Sequence, residues 1–174
     1  MDAALAEEFT EFMIGRWPSL VRFGHGLTGD LGMAENLAQL ALTRACVAWP
    51  RVRRADDLDA YVRRIMINSN RSRVRRRRVP EHLTAAPPDA GSARCAAPDQ
   101  PGAVVGALMG LPIGQRAVLV LRYWMDLSAE ETARTLGCSV GNVKSQASRG
   151  LAKLRLDPAL ASLGATGGDG HAEQ

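Results

Sequence analysis

Arginine is the residue type here with the most chemistry to offer, because it is gathered into one stretch. Residues 51–78 hold eleven Arg against three Asp, a net of +8, in a chain whose total is only +4. A second basic block, residues 102–156, is net +4, and the segments around both blocks are acidic. Only Lys144 and Lys153 among the 22 cations are lysine. A guanidinium fork matches phosphate oxygens and the guanine edge in pairs of hydrogen bonds, where an ammonium is a point charge. The pattern points to a polyanionic partner. The plainer alternative is a solvated face or a basic arm without sequence specificity, which Arg75-Arg76-Arg77-Arg78 alone would be.

Other chemistries find no support. His25, His82 and His171 are far apart and lack ligand spacing, so no metal site and no cofactor are expected. Gly24-His25-Gly26 has neither a strand before it nor the further glycines of a nucleotide-binding loop. No nucleophile and base fall into a recognisable arrangement, so no catalytic residue is named and no enzyme is expected. Cys46, Cys95 and Cys138 are odd in number and widely spaced, which fits neither a disulfide framework nor a zinc knuckle. A reducing cytoplasm is the expected location. Asp2, Glu7, Glu8 and Glu11 make an acidic N-terminus, unlike a secretory signal. No apolar run approaches the roughly 20 residues of a membrane span, so no membrane insertion is expected.

The elements that must carry these arginines read as helices. Leu5, Phe9, Phe12, Met13 and Leu20 recur at helical spacing, as do Met33, Leu37, Leu40, Ala41, Ala45 and Trp49. Over 57–78, Leu58, Tyr61, Val62, Ile65, Met66 and Ser69 make an apolar seam, while Arg63, Arg64, Arg71 and Arg75 fall largely elsewhere. Residues 79–101 are rich in Pro, Ala and Gly, lose all periodicity and read as a linker. The expected fold is all-α, with two small helical domains, 1–78 and 102–156, joined by that flexible linker and followed by a flexible tail, 157–174. Such a linker spans about 26 Å on average and about 75 Å at full stretch.

The second domain carries the most specific local signal. Ser128-Ala129-Glu130-Glu131 has the capping-box pattern that opens a helix, and Gly137 supplies the left-handed exit that closes it. Ser139 caps the next helix, whose Val140, Val143, Ala147, Leu151 and Leu154 form an apolar stripe. Its other face bears Asn142, Lys144, Ser145, Ser148, Arg149, Lys153 and Arg155 with no acid between 139 and 155. A short helix, a Gly turn and a second helix with a basic, amide-bearing face describe a helix-turn-helix whose second helix enters the DNA major groove. Pro112 is expected to start a supporting helix through Arg116, Leu121 and Tyr123. Trp17 and Trp124 are assigned to packing. Trp49 and Tyr61 are candidates either for stacking on bases or for the core.

The stretch from Leu111-Pro-Ile-Gly-Gln-Arg through Leu-Gly-Cys-Ser-Val-Gly-Asn-Val-Lys-Ser-Gln-Ala-Ser-Arg to Arg155 resembles region 4 of sigma-70 family factors. The compact extracytoplasmic-function (ECF) group, SigE-like, is the most similar. Leu27-Thr-Gly-Asp30 with Ala34-Glu-Asn-Leu-Ala-Gln39 is similar to region 2.2, and Ala60 through Arg78 to regions 2.3 and 2.4. The resemblance implies a promoter-specificity subunit of bacterial RNA polymerase. By it, Glu35, Asn36 and Gln39 would dock on the β′ clamp helices. Arg63, Arg64, Asn68, Arg71 and Arg75 would face the −10 element, and the loop from Arg53 to Asp57 would capture a flipped base. Ser139, Asn142, Lys144, Ser145, Ser148 and Arg149 would read the −35 element. The linker would thread toward the RNA exit path, and the β flap and an anti-sigma protein are further implied partners. One departure stands out: the family pattern Asp-Leu-Val-Gln-Glu is here Asn36-Leu-Ala-Gln-Leu40, with two carboxylates missing. A degenerate factor, a polymerase-independent helix-turn-helix regulator and a non-specific binding protein are the alternatives.

Overall fold

The computed structural model of the chain describes residues 2–78 and 100–165. Within them every regular element is helical. Helix α1, Ala3–Thr28, and helix α2, Leu31–Val52, form an antiparallel pair. The corner needs Gly29, whose φ of +72° is left-handed and whose N–H closes on His25 O at 2.8 Å. Asp30 then caps α2, its carboxylate accepting from the Met33 N–H at 2.6 Å. Helix α3, Leu58–Arg78, starts where Asp57 Oδ1 accepts from the Ala60 N–H at 2.8 Å.

The pair is tight because Gly24 lies against α2: a Cβ there would come within 2.9 Å of the Ala34 Cα. Phe23, Leu27, Ala41, Ala45, Trp49, Val62 and Met66 are buried together. Trp49 belongs wholly to this core, 1% exposed and edge-on to Phe9 at 5.0 Å between ring centroids, so it is no stacking platform for bases. Two apolar positions read as packed are not. Leu40 is 39% exposed and Trp17 36% exposed. Leu40 fits the helical spacing but lies at the edge of the seam, where it lines an open groove between α2 and α3.

The second half opens with α4, Gln100–Met109, so the linker reading overlaps this helix by two residues, and 79–99 lie outside the described residues. Pro112 precedes α5, Ile113–Leu119, as expected. That helix widens into a π-helical turn, Val120–Trp124, closed by the Met125 N–H on Val120 O at 2.9 Å. Helices α6, Ala129–Leu136, and α7, Val140–Arg155, follow. The tail read as flexible holds one further helix, α8, Pro158–Ala165, which packs on α4. Asp157 starts it by accepting from the Ala159 N–H at 2.9 Å, with Pro158 at the first position, where its missing N–H costs nothing. The rest of the tail, from 166, lies outside the described residues.

The two halves are in contact. Val118, Val120 and Leu121 are buried in one cluster with Phe23 and Leu27. Gly26 permits it: a Cβ there would sit 2.8 Å from Val120 Cγ1. Polar clamps surround this seam. Arg116 donates to Leu27 O at 2.9 Å, to Met109 O at 2.9 Å and to Leu111 O at 3.1 Å. Arg22 donates to Trp124 O at 2.9 Å.

Candidate nucleic-acid interface

The helix-turn-helix is built by local hydrogen bonds. Ser128 Oγ accepts from the Glu131 N–H at 3.1 Å, and Glu131 Oε2 accepts from the Ser128 N–H at 2.7 Å. The Ser128 backbone, and then its hydroxyl, hold the Glu131 carboxyl below its ordinary pKa by favouring the charged form. Gly137 ends α6 at φ +67° and ψ +41°, and Ser139 Oγ caps α7 by accepting from the Asn142 N–H at 3.2 Å. The underside of α7 is seated by Val143 and Ala147, both buried, and by Gly150, where a Cβ would come within 2.9 Å of Leu119 Cδ1.

With that face down, Ser139, Asn142, Lys144, Ser145, Ser148 and Arg149 are all exposed. They share one solvent face, as the spacing required. A cavity of about 310 Å³ beside them is lined in part by Arg122, Tyr123 and Arg155. Tyr123 is 58% exposed, with the Arg122 guanidinium 5.6 Å from its ring centroid. Reading residues 116–123 as a plain support helix hid this pair. The π-helical turn, which no side-chain spacing announces, widens the last turn of that helix.

The arginine helix α3 is less uniform. Asn68, Arg71 and Arg75 are exposed. Arg64, also at the surface, is already engaged: its Nε donates to Thr135 O at 3.0 Å and a terminal nitrogen donates to Arg134 O. Arg63 is half-buried, and its charge reaches Glu131 of the same helix-turn-helix. Arg53, in the loop before α3, is paired with Glu8 Oε2 at 2.7 Å. Three of the six cationic or amide groups assigned to the −10 element therefore face other parts of the chain.

Glu35, Asn36 and Gln39 are exposed along α2. Asn36 and Asn68, read as belonging to two different functions, line one groove of about 610 Å³ between α2 and α3. Leu37, the exposed Leu40 and Arg44 also line it, and the Arg44 guanidinium donates to Ser69 Oγ at 3.2 Å. Sequence reasoning missed Asn70, 1% exposed, whose amide lies 3.5 Å from Leu27 O and accepts from Arg73 at 3.0 Å. It also missed Arg116 as a clamp. Burial, and next the Arg73 charge, push the Arg116 guanidinium below its ordinary pKa. Among the described residues, no three His, Cys, Asp or Glu gather as metal ligands, and no helix is long and apolar enough to cross a membrane.

Residues 16–79 match the family described as Sigma-70 region 2, and residues 102–154 match Sigma-70, region 4. The chain thus belongs to the sigma-70 family, with both DNA-reading regions present. It is similar to the RNA polymerase sigma-E factor of Streptomyces antibioticus, 39% identical over 149 residues, 85% of this chain and 83% of that one. The sigma-E factor of Streptomyces coelicolor is 37% identical over 152 residues, 85% and 84%. The ECF RNA polymerase sigma factor EcfG of Rhodopseudomonas palustris is 31% identical over 158 residues, 86% and 84%. In fold, the sigma factor RpoE of Bartonella quintana, solved with the anti-sigma factor NepR, superposes with a TM-score of 0.68 at 24% identity, covering 86% of this chain and 96% of that one. CnrH, solved with the cytosolic domain of CnrY, gives 0.59 at 21% identity, covering 87% of each. More particularly, the chain is an ECF RNA polymerase sigma factor of sigma-E type, a subunit for promoter recognition and transcription initiation.

Proposed function

We propose that the two arginine-bearing surfaces divide the promoter between them. The α7 face reads the −35 duplex, with Ser139, Asn142, Lys144, Ser145, Ser148 and Arg149 toward the groove. Asn pairs with adenine and Lys or Arg with guanine there. The α3 face, with Arg63, Arg64, Asn68, Arg71 and Arg75, tracks the −10 non-template strand, and the loop at Arg53 holds a flipped base. Extruding a base costs a few kcal/mol of stacking, which phosphate and pocket contacts offset. No covalent bond is made or broken by this chain: it supplies binding energy that favours melted DNA on the polymerase.

In this reading α2 docks on the β′ clamp helices through Glu35, Asn36 and Gln39, and the second half sits on the β flap. Leu40 replaces a family carboxylate with an exposed apolar side chain at the mouth of the α2–α3 groove, so docking there leans on apolar contact more than on charge. The domain division is 1–78 and 102–156 with a linker between. The site of action is the cytoplasm, where the polymerase is. An anti-sigma protein of the kind bound to the Bartonella quintana factor is a fitting further partner.

The observation that carries this reading is the α7 face. Its apolar side is buried and its outer side, acid-free from 139 to 155, is open to solvent. The test is run-off transcription with purified core polymerase. A transcript that requires the chain and both promoter elements is expected. Binding to a palindromic operator without any association with core polymerase would instead identify a free-standing regulator.

A further inference from the structure

Helix α1 grips the loop between α2 and α3 at both ends. At its start, an Arg53 terminal nitrogen lies 2.7 Å from Glu8 Oε2. Just past its end, in the first turn of α3, Asp59 Oδ1 lies 2.9 Å from Arg16 Nε. The polarity is crossed: α1 supplies the acid at one end and the base at the other. Glu8 and Arg16 are eight residues apart, about 12 Å at about 1.5 Å per residue. Phe12 stands between them, its ring centroid 5.2 Å from that of Trp49. The backbone completes the frame. The Arg53 N–H donates to Trp49 O at 3.0 Å, the Ala55 N–H donates to Val52 O at 2.8 Å, and Asp57 caps α3. Arg54, Ala55 and Asp56 are left exposed within it.

We propose, on the reading that this loop takes a flipped base, that Glu8 and Arg16 are positioning residues for it. They set the shape of the loop in advance through Arg53 and Asp59, and Arg53 serves the base by holding the loop, not by touching phosphate. The Glu8 and Arg16 side chains are 42% and 50% exposed, and those of Arg53 and Asp59 28% and 25%. Pairs this open add little to the stability of the whole chain. Their placement is what counts. A loop that became ordered only on contact would spend binding energy on its own ordering, and a loop held in advance does not. The Asp59 oxygen that faces Arg16 is shielded from water and accepts no hydrogen bond from the described residues, so the Arg16 charge is its compensation. The competing account is that Glu8, one of several acids near the N-terminus, only neutralises Arg53. The two accounts differ in sign. Under neutralisation, Glu8→Gln frees a cation and strengthens binding of the strand; under positioning, it weakens that binding although the chain becomes more basic.

The experiment uses the full chain bound to core polymerase and a promoter selected from a random library by run-off transcription. The probe is the single non-template −10 strand of that promoter, intact and with one abasic site at each position in turn. In the wild type, one position should lose far more affinity than the rest, and it marks the flipped base. For Glu8→Gln and for Arg16→Gln, the ratio of intact to abasic affinity at that position should shrink by roughly fivefold, the upper end for an exposed ion pair. Affinity for the abasic strand should not fall, which a general loss of structure would not spare. Glu8→Gln combined with Arg53→Gln should lose no more than either alone, because Glu8 acts through Arg53. The exchange Glu8→Arg with Arg53→Glu keeps the net charge and should restore the ratio. An unchanged ratio, tighter binding of the intact strand by Glu8→Gln, or a folded exchange variant that restores nothing would overturn the proposal. If no position stands out in the wild type, the base-capturing role of the loop falls and the positioning role with it. If one stands out and both variants keep it, only the positioning role falls.

Discussion

The two basic helices of this chain differ in charge density and in circumstances. On α7 the cations stand on the solvent side of a helix whose other face is seated on α5, and none of Lys144, Ser145, Ser148 or Arg149 is buried. On α3 the cations are divided: Arg71 and Arg75 stand free of the fold, while Arg64 holds α6 and Arg63 is half-buried. Charge density therefore says where a polyanion could bind, and packing says which of those charges are ready. If α7 reads duplex and α3 the melted strand, as proposed, the duplex reader is organised in advance and the strand reader is partly occupied by the chain itself.

The largest expected effect comes from treating α3 as the strand reader. Replacing Arg63, Arg64 and Arg71 by Ala should abolish promoter opening, read by permanganate reactivity of the −10 region, while co-purification with core polymerase persists. An unchanged open complex would break the comparison at its root, because the α3 arginines would then be a solvated face. On α7, Lys144→Ala and Arg149→Ala should each weaken initiation from a −35-dependent promoter by about 1–3 kcal/mol, or roughly 5- to 150-fold. The same substitutions should leave a promoter that lacks a −35 element untouched. Equal losses on both promoters would mean that α7 binds backbone without reading sequence.

Legibility in the sequence differed between the halves for a physical reason. The helix-turn-helix could be read because its signals are side chains: the Ser128 and Ser139 hydroxyls, the Glu131 carboxylate and the missing Cβ of Gly137. Each acts within four residues of its own position. The family itself was legible for the same reason, in the runs from Leu111 to Arg155 and from Ala60 to Arg78. The seam between the halves could not be read that way. Its acceptors are the backbone carbonyls of Leu27, Trp124 and Thr135, which every residue type provides equally. Arg116 and Asn70 looked like ordinary polar positions on helices until those carbonyls were brought to them. Exposure of Leu40 was hidden by a periodicity that marks a face without saying where its edge lies.

A smaller effect tests whether α7 owes its readiness to the cap beneath it. Ser128→Ala removes the acceptor of the Glu131 N–H and should lower the stability of the helix-turn-helix by about 1 kcal/mol. It shows as earlier hydrogen exchange on α6 and α7, with α1 and α2 unchanged. If the loss spread evenly over both halves, they would unfold as one unit and the contrast between them would be one of surface only.

The smallest effect concerns proton binding at the same cap. The folded chain holds Glu131 below its ordinary carboxyl pKa, chiefly through the Ser128 backbone N–H. The unfolded chain therefore binds the proton more readily. The stabilisation is fully present above the ordinary Glu range and fades as pH falls through that range toward the lower folded value. Glu131→Gln keeps the reach of the capping box and removes the titration, because Gln also serves at this position. The wild type should be the more stable protein at neutral pH, and the melting-temperature difference should shrink toward zero under acid. Glu131 is partly exposed at the surface, so the difference is small and salt-sensitive. A constant difference across the acid range would mean that shape alone holds the cap, and that the N-terminal end of α6 gains nothing from the charge.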